Sequence, residues 1–587
     1  MVIEQKEDES GDRMDSLKEN LGKAERIGVI GSPSSTSNLT IDILGTAVNK
    51  RLVGNLSVFS YNQDGNDHYA LGQIVEIEMK NVWTQDPTMR GLIRHKGRVD
   101  PITERQDTHT ASMTVSSVFE KKADTLEQSI FGTVPSTGTP IKLLSEDIMD
   151  SLLHSQKEEL FYLGKAYGTN IRMPMWFKHF GTGKHGAGEA YHLGVFGKTG
   201  SGKSVLARMI MMGYARHRQM SIFILDPQGE FSKNLKEESE STKILREKLD
   251  RKVEVFDLHN LVLTGSRLLK QVLVNSGFLE QLGIYQDTNR WQAADQIDLI
   301  LSQRGRLLQE ITPWNAHKRE AFDRVWAQLQ DEDVLRRIYT MRDLRDRILS
   351  TLQTSDPDVF YEQWKAIMNL FKYEGKRKAI KINDLVAKIH NEEGLIVVID
   401  LSETNIPEDL FWNEMTKLIV IGEFIDKITK EAEKKFKNNE LLNGLIIIDE
   451  AHRLAPRERT DNEDLERIKE QLIDAVRTTR KYGLGWMFIS QTLSSLHREI
   501  INQTRIYIFG FGLGWGIERQ ALNEIIGGQR EAMALYQRFR DPQSSIGEKV
   551  YSFMTVGPIS PLSFSGTPLF FNALRYPEEF LGVNFDN

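Results

Sequence analysis

The segment Gly197-Lys198-Thr199-Gly200-Ser201-Gly202-Lys203-Ser204, followed by Val205, has the residue types needed to hold a polyphosphate. It fits the spacing G-x-x-x-x-G-K-[ST] at every position. Glycines let the backbone curl until several N–H groups converge on phosphate oxygens, and a helix beginning at the end of the loop adds the positive end of its dipole. In this arrangement Lys203 neutralises the β- and γ-phosphates, and the Ser204 hydroxyl holds Mg²⁺. A second chemical cluster ends the apolar run GLIIIDEAHRLAP, where Asp449 and Glu450 stand side by side. At such a site the first carboxylate accepts from a water on Mg²⁺ and the second polarises the attacking water, so the pair points to hydrolysis rather than passive binding.

Three further polar groups lie at the ends of predicted elements. SIFILDPQGEF places Asp226 and Glu230 just past a strand, facing either a nucleotide or a neighbouring subunit, or forming an ordinary Asp-Pro turn. WMFISQTL ends on Gln491, a neutral amide able to sense a γ-phosphate without adding negative charge. DAVRTTRKYGLG puts Arg477, Arg480 and Lys481 at a helix end, where the dipole alone would stabilise them. The alternative is an arginine that reaches the γ-phosphate of an adjacent subunit.

The elements that must position these groups change character along the chain. Residues 1–26 are charged and aperiodic, predicting a flexible acidic tail or frayed helix. Residues 27–145 contain short alternating stretches such as RLVGNLSVFSYNQ and HYALGQIVEIEMK separated by Gly, Asn and Asp, the pattern of a small β-barrel with a hairpin turn at Asp64-Gly65-Asn66-Asp67. A linker-like passage runs from about 145 to 188. Beyond it, near-continuous apolar strands (LGVFG, MSIFILD, GLIVVIDL, GLIIIDE, LGWMFIS, IYIFGFG) alternate with helical stretches, predicting an α/β fold with a covered parallel sheet. The expected core occupies 146–264 and 392–545, interrupted by a helical insertion at 265–391. Residues 546–587, rich in Pro and aromatics, read as a strand and an extended tail lying on a surface.

Composition narrows the function classes. The 587 residues carry a net charge of −7 and no cysteine, which excludes disulfides, thiolate catalysis and Cys-type metal sites. Neither a signal-peptide pattern nor an apolar run long enough to span a membrane occurs, predicting a cytoplasmic protein without membrane association. The mild acidity leaves room for a local basic channel, for which the loop HRLAPRERTDNED offers Arg453, Arg457 and Arg459. RHR at 216–218 reads as a helix end.

The ordered set GKTGSGKS, ILDPQGEF, LIIIDEAHRLAP, TTRKYGLG and FISQTLSSL, over about residues 27 to 570, resembles the HerA-like bacterial and archaeal DNA translocases, hexameric relatives of the FtsK motors. The resemblance implies a RecA-like P-loop ATPase core behind an N-terminal, HAS-barrel-like domain, with ATP and Mg²⁺ as cofactors. It assigns catalytic roles to Lys203, Asp449 and Glu450, metal binding to Ser204 and Asp449, γ-phosphate sensing to Gln491 and a trans-acting role to Arg480, with Arg477 as the alternative. It also implies a homohexamer threading double-stranded DNA through a central pore, a tail that braces the neighbouring protomer, and a nuclease or sirtuin-like phage-defence effector docked on the barrel. A coupling ATPase for conjugation or secretion, and a ring that mainly assembles and switches a partner enzyme, are the other functions such a core could serve.

Overall fold

Period-two alternation builds the N-terminal part. In the computed structural model, which describes residues 15–97, 99, 106–122, 125–235, 239–302, 315–372, 379–403, 406, 408–544, 546–563 and 566–585, seven strands occupy this region. They are β1 (Arg26–Ile30), β2 (Leu39–Ile43), β3 (Leu56–Gln63), β4 (Asn66–Lys80), β5 (Thr108–Lys122), β6 (Thr125–Ser129) and β7 (Pro140–Leu143). Their order β2-β1-β7-β3-β4-β5 closes through a β2–β5 pairing into a six-stranded barrel, with β6 on the outside of β5. Ile27, Leu39, Ile41, Phe59, Ile74 and Met113 fill it. The β3–β4 turn is the two-residue Asp64-Gly65, both at positive φ, and Asn66 already pairs with Gln63. That is the hairpin chemistry an Asp-Gly pair favours.

The expected acidic tail divides. Residues 1–14 lie outside the described residues, whereas 15–23 are helical and bury Leu17 and Leu21 in the main core, so this stretch is not a loose tail. Its two leucines four residues apart make one apolar helical stripe, too short to show as periodicity in the sequence.

An eleven-stranded sheet forms the rest. Its strands are β8 (Leu160–Ala166), β9 (Arg172–Trp176), β10 (Leu193–Phe196), β11 (Ser221–Asp226), β12 (Lys252–Phe256), β15 (Leu395–Asp400), β16 (Gly444–Ile448), β17 (Leu484–Ser490), β18 (Ile506–Phe509), β19 (Ser552–Val556) and β20 (Leu569–Ala573). The two-residue strands β13 (Leu261–Val262) and β14 (Ile380–Lys381) pair separately. The sheet order is β12-β15-β11-β16-β17-β10-β18-β19-β20-β8-β9, parallel from β12 to β18 and antiparallel from β19 onward. The central parallel strands are buried along their whole length, which explains their continuous apolar runs.

Two expectations are corrected here. The linker-like passage supplies β8 and β9, and the tail supplies β19 and β20 together with the helix Glu578–Phe585. Phe570 and Phe571 are fully buried, and the Phe580 ring packs 5.4 Å from that of Phe161. The described part of the tail therefore builds core, where a tail lying on a surface was expected. The reason is non-local: β8 finds its partner β20 some four hundred residues along, and a lone strand of that kind carries no signal of its partner.

The interval 265–391 holds eight helices among the described residues. Phe278, Trp364 and Ile367 of these helices share one core with Phe196, Phe223 and Ile446 of the sheet, so the insertion covers a sheet face. The barrel is fastened to the sheet by the buried amide of Gln73. Its Nε2 donates to Gly54 O (2.7 Å) and Phe570 O (3.0 Å), while Phe570 N donates to its Oε1 (2.9 Å). One side chain thus bonds both backbone groups of a buried β20 residue, whose carbonyl also accepts from Tyr167 N (2.9 Å).

Candidate functional site

The phosphate loop connects the end of β10 to the helix Lys203–Ala215, at the sheet edge where parallel strands end and ligands of such sheets bind. Its first two residues are tied to the ends of the neighbouring strands: Gly197 N donates to Ser490 O (3.3 Å) and Lys198 N to Phe511 O (2.9 Å), just past β18. Gly200 and Gly202 sit at φ +81° and +88°, a left-handed region closed to most side chains. Space adds to this at Gly202, where a Cβ would meet the Tyr551 ring at 2.6 Å, while one on Gly200 would displace the exposed end of Gln543. Gln543 and Tyr551 lie over the loop and went unmarked in the sequence, where nothing distinguishes them from other exposed polar and aromatic residues. Ser201 is buried and its Oγ has no partner among the described residues, Ser204 and Val205 are half-buried, and Lys198 and Thr199 are exposed.

Lys203 is 8% exposed, and burial pushes its ammonium below the ordinary lysine value, while Glu450, Asp449 and Glu230 pull it back up. Its Nζ donates to Lys198 O (3.1 Å). Asp449 and Glu450 follow β16, two strands from β10, and both are buried. Glu450 occupies the left-handed region at φ +51° without being glycine, a strain that structures retain at functional positions. Its N–H donates to Asp449 Oδ1 (2.9 Å). Gln491, just past β17, joins the two clusters: Thr199 Oγ1 donates to Gln491 Oε1 (3.0 Å), and Gln491 Nε2 donates to Glu450 Oε1 (2.6 Å).

Burial raises the Asp449 carboxyl to about 7, assisted by the neighbouring Glu450, Glu230 and Asp226 charges. A concentration of acids around one buried carboxyl is what a bound cation relieves, so Asp449 together with the Ser204 hydroxyl suits Mg²⁺. Among the described residues no group of three or more His, Cys, Asp or Glu could hold a metal. A raised carboxyl pKa favours the folded state below its unfolded value near 4, and that contribution is lost as pH rises towards 7. The difference in melting temperature between wild type and Asp449→Asn should therefore shift against wild type from pH 4 to pH 7, and a pH-independent difference would contradict this assignment.

Other sequence-marked residues settle differently. The Asp226 carboxylate accepts from Glu230 N (3.1 Å), Ser232 N (2.7 Å) and Ser232 Oγ (2.6 Å), capping the short helix Glu230–Asn234, while Glu230 stays exposed and acts on Lys203 and Asp449 through its charge. Arg216 donates to Leu160 O and Glu158 O, and Arg218 pairs with Asp250, so the 216–218 cluster is structural. Arg453, Arg457 and Arg459 are all exposed beyond the acid pair. Arg480 lies at the opposite edge of the sheet. Its carbonyl accepts from Ala190 N just before β10, and its Nε is 3.6 Å from Glu189, which Arg505 also engages at 2.8 Å. Roughly 20 Å of β17, seven residues at about 3.3 Å each, separates it from Ser490, so it is not brought to this chain's own phosphate loop. Arg477 lies 3.6 Å from Glu499. His452, quoted in the sequence without a role, stands beside Glu450; the signal was its place two residues past the acid pair.

Among the described residues no helix is long and apolar enough to cross a membrane. No curated protein matches the chain. Among solved structures, the genome packaging NTPase B204 from Sulfolobus turreted icosahedral virus 2 has 11% identity over 66% of this chain and 98% of its own, with a TM-score of 0.28. VirB4 of Thermoanaerobacter pseudethanolicus has 13% over 71% and 97%, with a TM-score of 0.37. The bacterial conjugative coupling protein TrwBΔN70 has 12% over 65% and 84%, with a TM-score of 0.35. Likenesses this low carry no argument about activity. Residues 375–508 match the family model described as zonular occludens toxin (Zot). Residues 190–419 match the model described as the central domain of helicase HerA, a span that starts just before the phosphate loop and takes in the helical insertion. That match, beside the closed barrel and the P-loop core, supports an ATPase of the HerA/FtsK type.

Proposed function

We propose that this chain hydrolyses ATP and, as a homohexamer, uses the energy to drive double-stranded DNA through a central pore. The observation that carries the hydrolytic part is the unbroken path Thr199–Gln491–Glu450, which ties the phosphate loop to a buried carboxylate. Backbone N–H groups of 197–205 and Lys203 bind the phosphates, and Ser204 and Asp449 hold Mg²⁺. When bound, Mg²⁺ neutralises charge on the β- and γ-phosphates. Glu450 accepts a proton from water as its oxygen bonds to the γ-phosphorus and the bond to the β–γ bridging oxygen breaks, leaving ADP and phosphate. Gln491 senses the γ-phosphate, and Arg480 reaches the site of the adjacent subunit.

The DNA-handling part is supported by the exposed Arg453, Arg457 and Arg459 on the loop that follows Glu450, where a change at the nucleotide has the shortest route to phosphate-contacting cations. A partner nuclease or defence effector docks on the barrel in this reading. The long β4–β5 pair there ends in exposed Met79, Val82 and Trp83. The test is ATP turnover with and without linear double-stranded DNA, together with the mass in solution. A hexamer whose turnover rises with DNA is expected, and losing the three loop arginines should remove the stimulation while sparing basal turnover. A hexamer indifferent to DNA would replace the motor with a ring that switches a partner.

A further inference from the structure

His452 lies on the single turn Ala451–Arg453, and its Nδ1 is 3.2 Å from Ser490 Oγ and 3.3 Å from Glu450 Oε2. The Ser490 hydroxyl donates to Thr492 O (2.7 Å). A hydroxyl has one hydrogen, so towards His452 it can only accept, and Nδ1 is the nitrogen that carries the proton. Burial holds the imidazole below its ordinary pKa, in keeping with a neutral ring. One N–H therefore faces two acceptors.

The second acceptor is short of a partner. Glu450 Oε2 is buried and makes no hydrogen bond among the described residues, because the approach from His452 is close without being aligned. The other oxygen, Oε1, takes the Gln491 amide at 2.6 Å. That amide is also the group placed to turn towards a γ-phosphate beside Thr199. Once it turns, Glu450 loses its one aligned side-chain donor at the moment when its direction decides whether water is activated. The imidazole needs only a small rotation to align on Oε2, and a hydrogen bond to a carboxylate is stronger than one to a hydroxyl.

We propose that His452 is a positioning residue for hydrolysis, its Nδ1–H passing from Ser490 Oγ to Glu450 Oε2 as Gln491 turns to the γ-phosphate. The inference rests on the nucleotide-hydrolysing reading above. It gives the histidine two residues past the acid pair a task separate from nucleotide binding.

The test compares His452→Ala, His452→Gln and His452→Asn in the full chain, reading kcat, KM for ATP, affinity for a non-hydrolysable ATP analogue, and melting temperature. An asparagine amide places its N–H near the position of Nδ1, whereas a glutamine places it near Nε2. The Ala and Gln variants should lose about 10- to 100-fold in kcat, the range for a group that orients another, with KM, analogue affinity and melting temperature close to wild type. The Asn variant should recover most of the loss. Wild-type kcat in the Ala variant, equal rescue by Asn and Gln, or a loss of kcat that tracks melting temperature or analogue affinity would each overturn the proposal. Absence of ATP hydrolysis by the wild-type protein would instead remove the reading on which it rests, and the proposal with it.

Discussion

Glu450→Gln should bind ATP as wild type does and hydrolyse it about 100- to 10,000-fold more slowly, the range for removing a general base. The amide has the size of the carboxylate and can still accept from Gln491 Nε2, which now lies 2.6 Å from Glu450 Oε1. What it cannot do is take a proton from water. Removing this charge also lessens the burden on Asp449, whose carboxyl Glu450 helps to hold near 7, so the cation site should not weaken. Single-turnover phosphate release beside equilibrium binding of a fluorescent ATP analogue separates the two effects. Unchanged turnover would remove Glu450 from the reaction. Parallel loss of binding would make it a structural residue of the loop cluster.

Arg480→Ala should reduce kcat about 1,000-fold or more, as for other arginines that stabilise phosphoryl-transfer charge from a neighbouring subunit. The side chain is half-exposed and its Nε is 3.6 Å from Glu189, so its removal should barely alter folding. Because a full strand length separates it from its own phosphate loop, direct contact of this arginine with a γ-phosphate has to cross a subunit boundary. Mixing provides the decisive readout. In a ring of Arg480→Ala and Glu450→Gln subunits, a site with an intact Glu450 from the first can receive an intact arginine from the second. The mixture should therefore exceed either variant alone. A wild-type rate for Arg480→Ala would pass the role to Arg477, which stands 3.6 Å from Glu499 and can be tested in the same way.

The local chemistry was legible because it is contiguous. Gly197 to Ser204 form one loop, Asp449-Glu450 end one strand, and the hydrophobic runs around them report that those strands are buried on both faces. Spacing along a chain is enough where each part of a site comes from one turn or one strand end. The hairpin at Asp64-Gly65 was readable for the same reason.

What the tertiary structure alone decided is everything that depends on distant pairing. The parallel order that sets β17 between β16 and β10 brings Gln491 onto both Thr199 and Glu450, and it carries Arg480 to the far edge. Strand β20 reaches back to β8, so residues that read as a surface tail became core, and Phe570 receives the amide of Gln73 from the barrel. Leu17 and Leu21, too few to make a visible pattern, are buried because a finished core stands next to them. Periodicity shows which face of an element is apolar; the element that covers it is selected by packing among all the others, and one segment read alone contains no record of that choice.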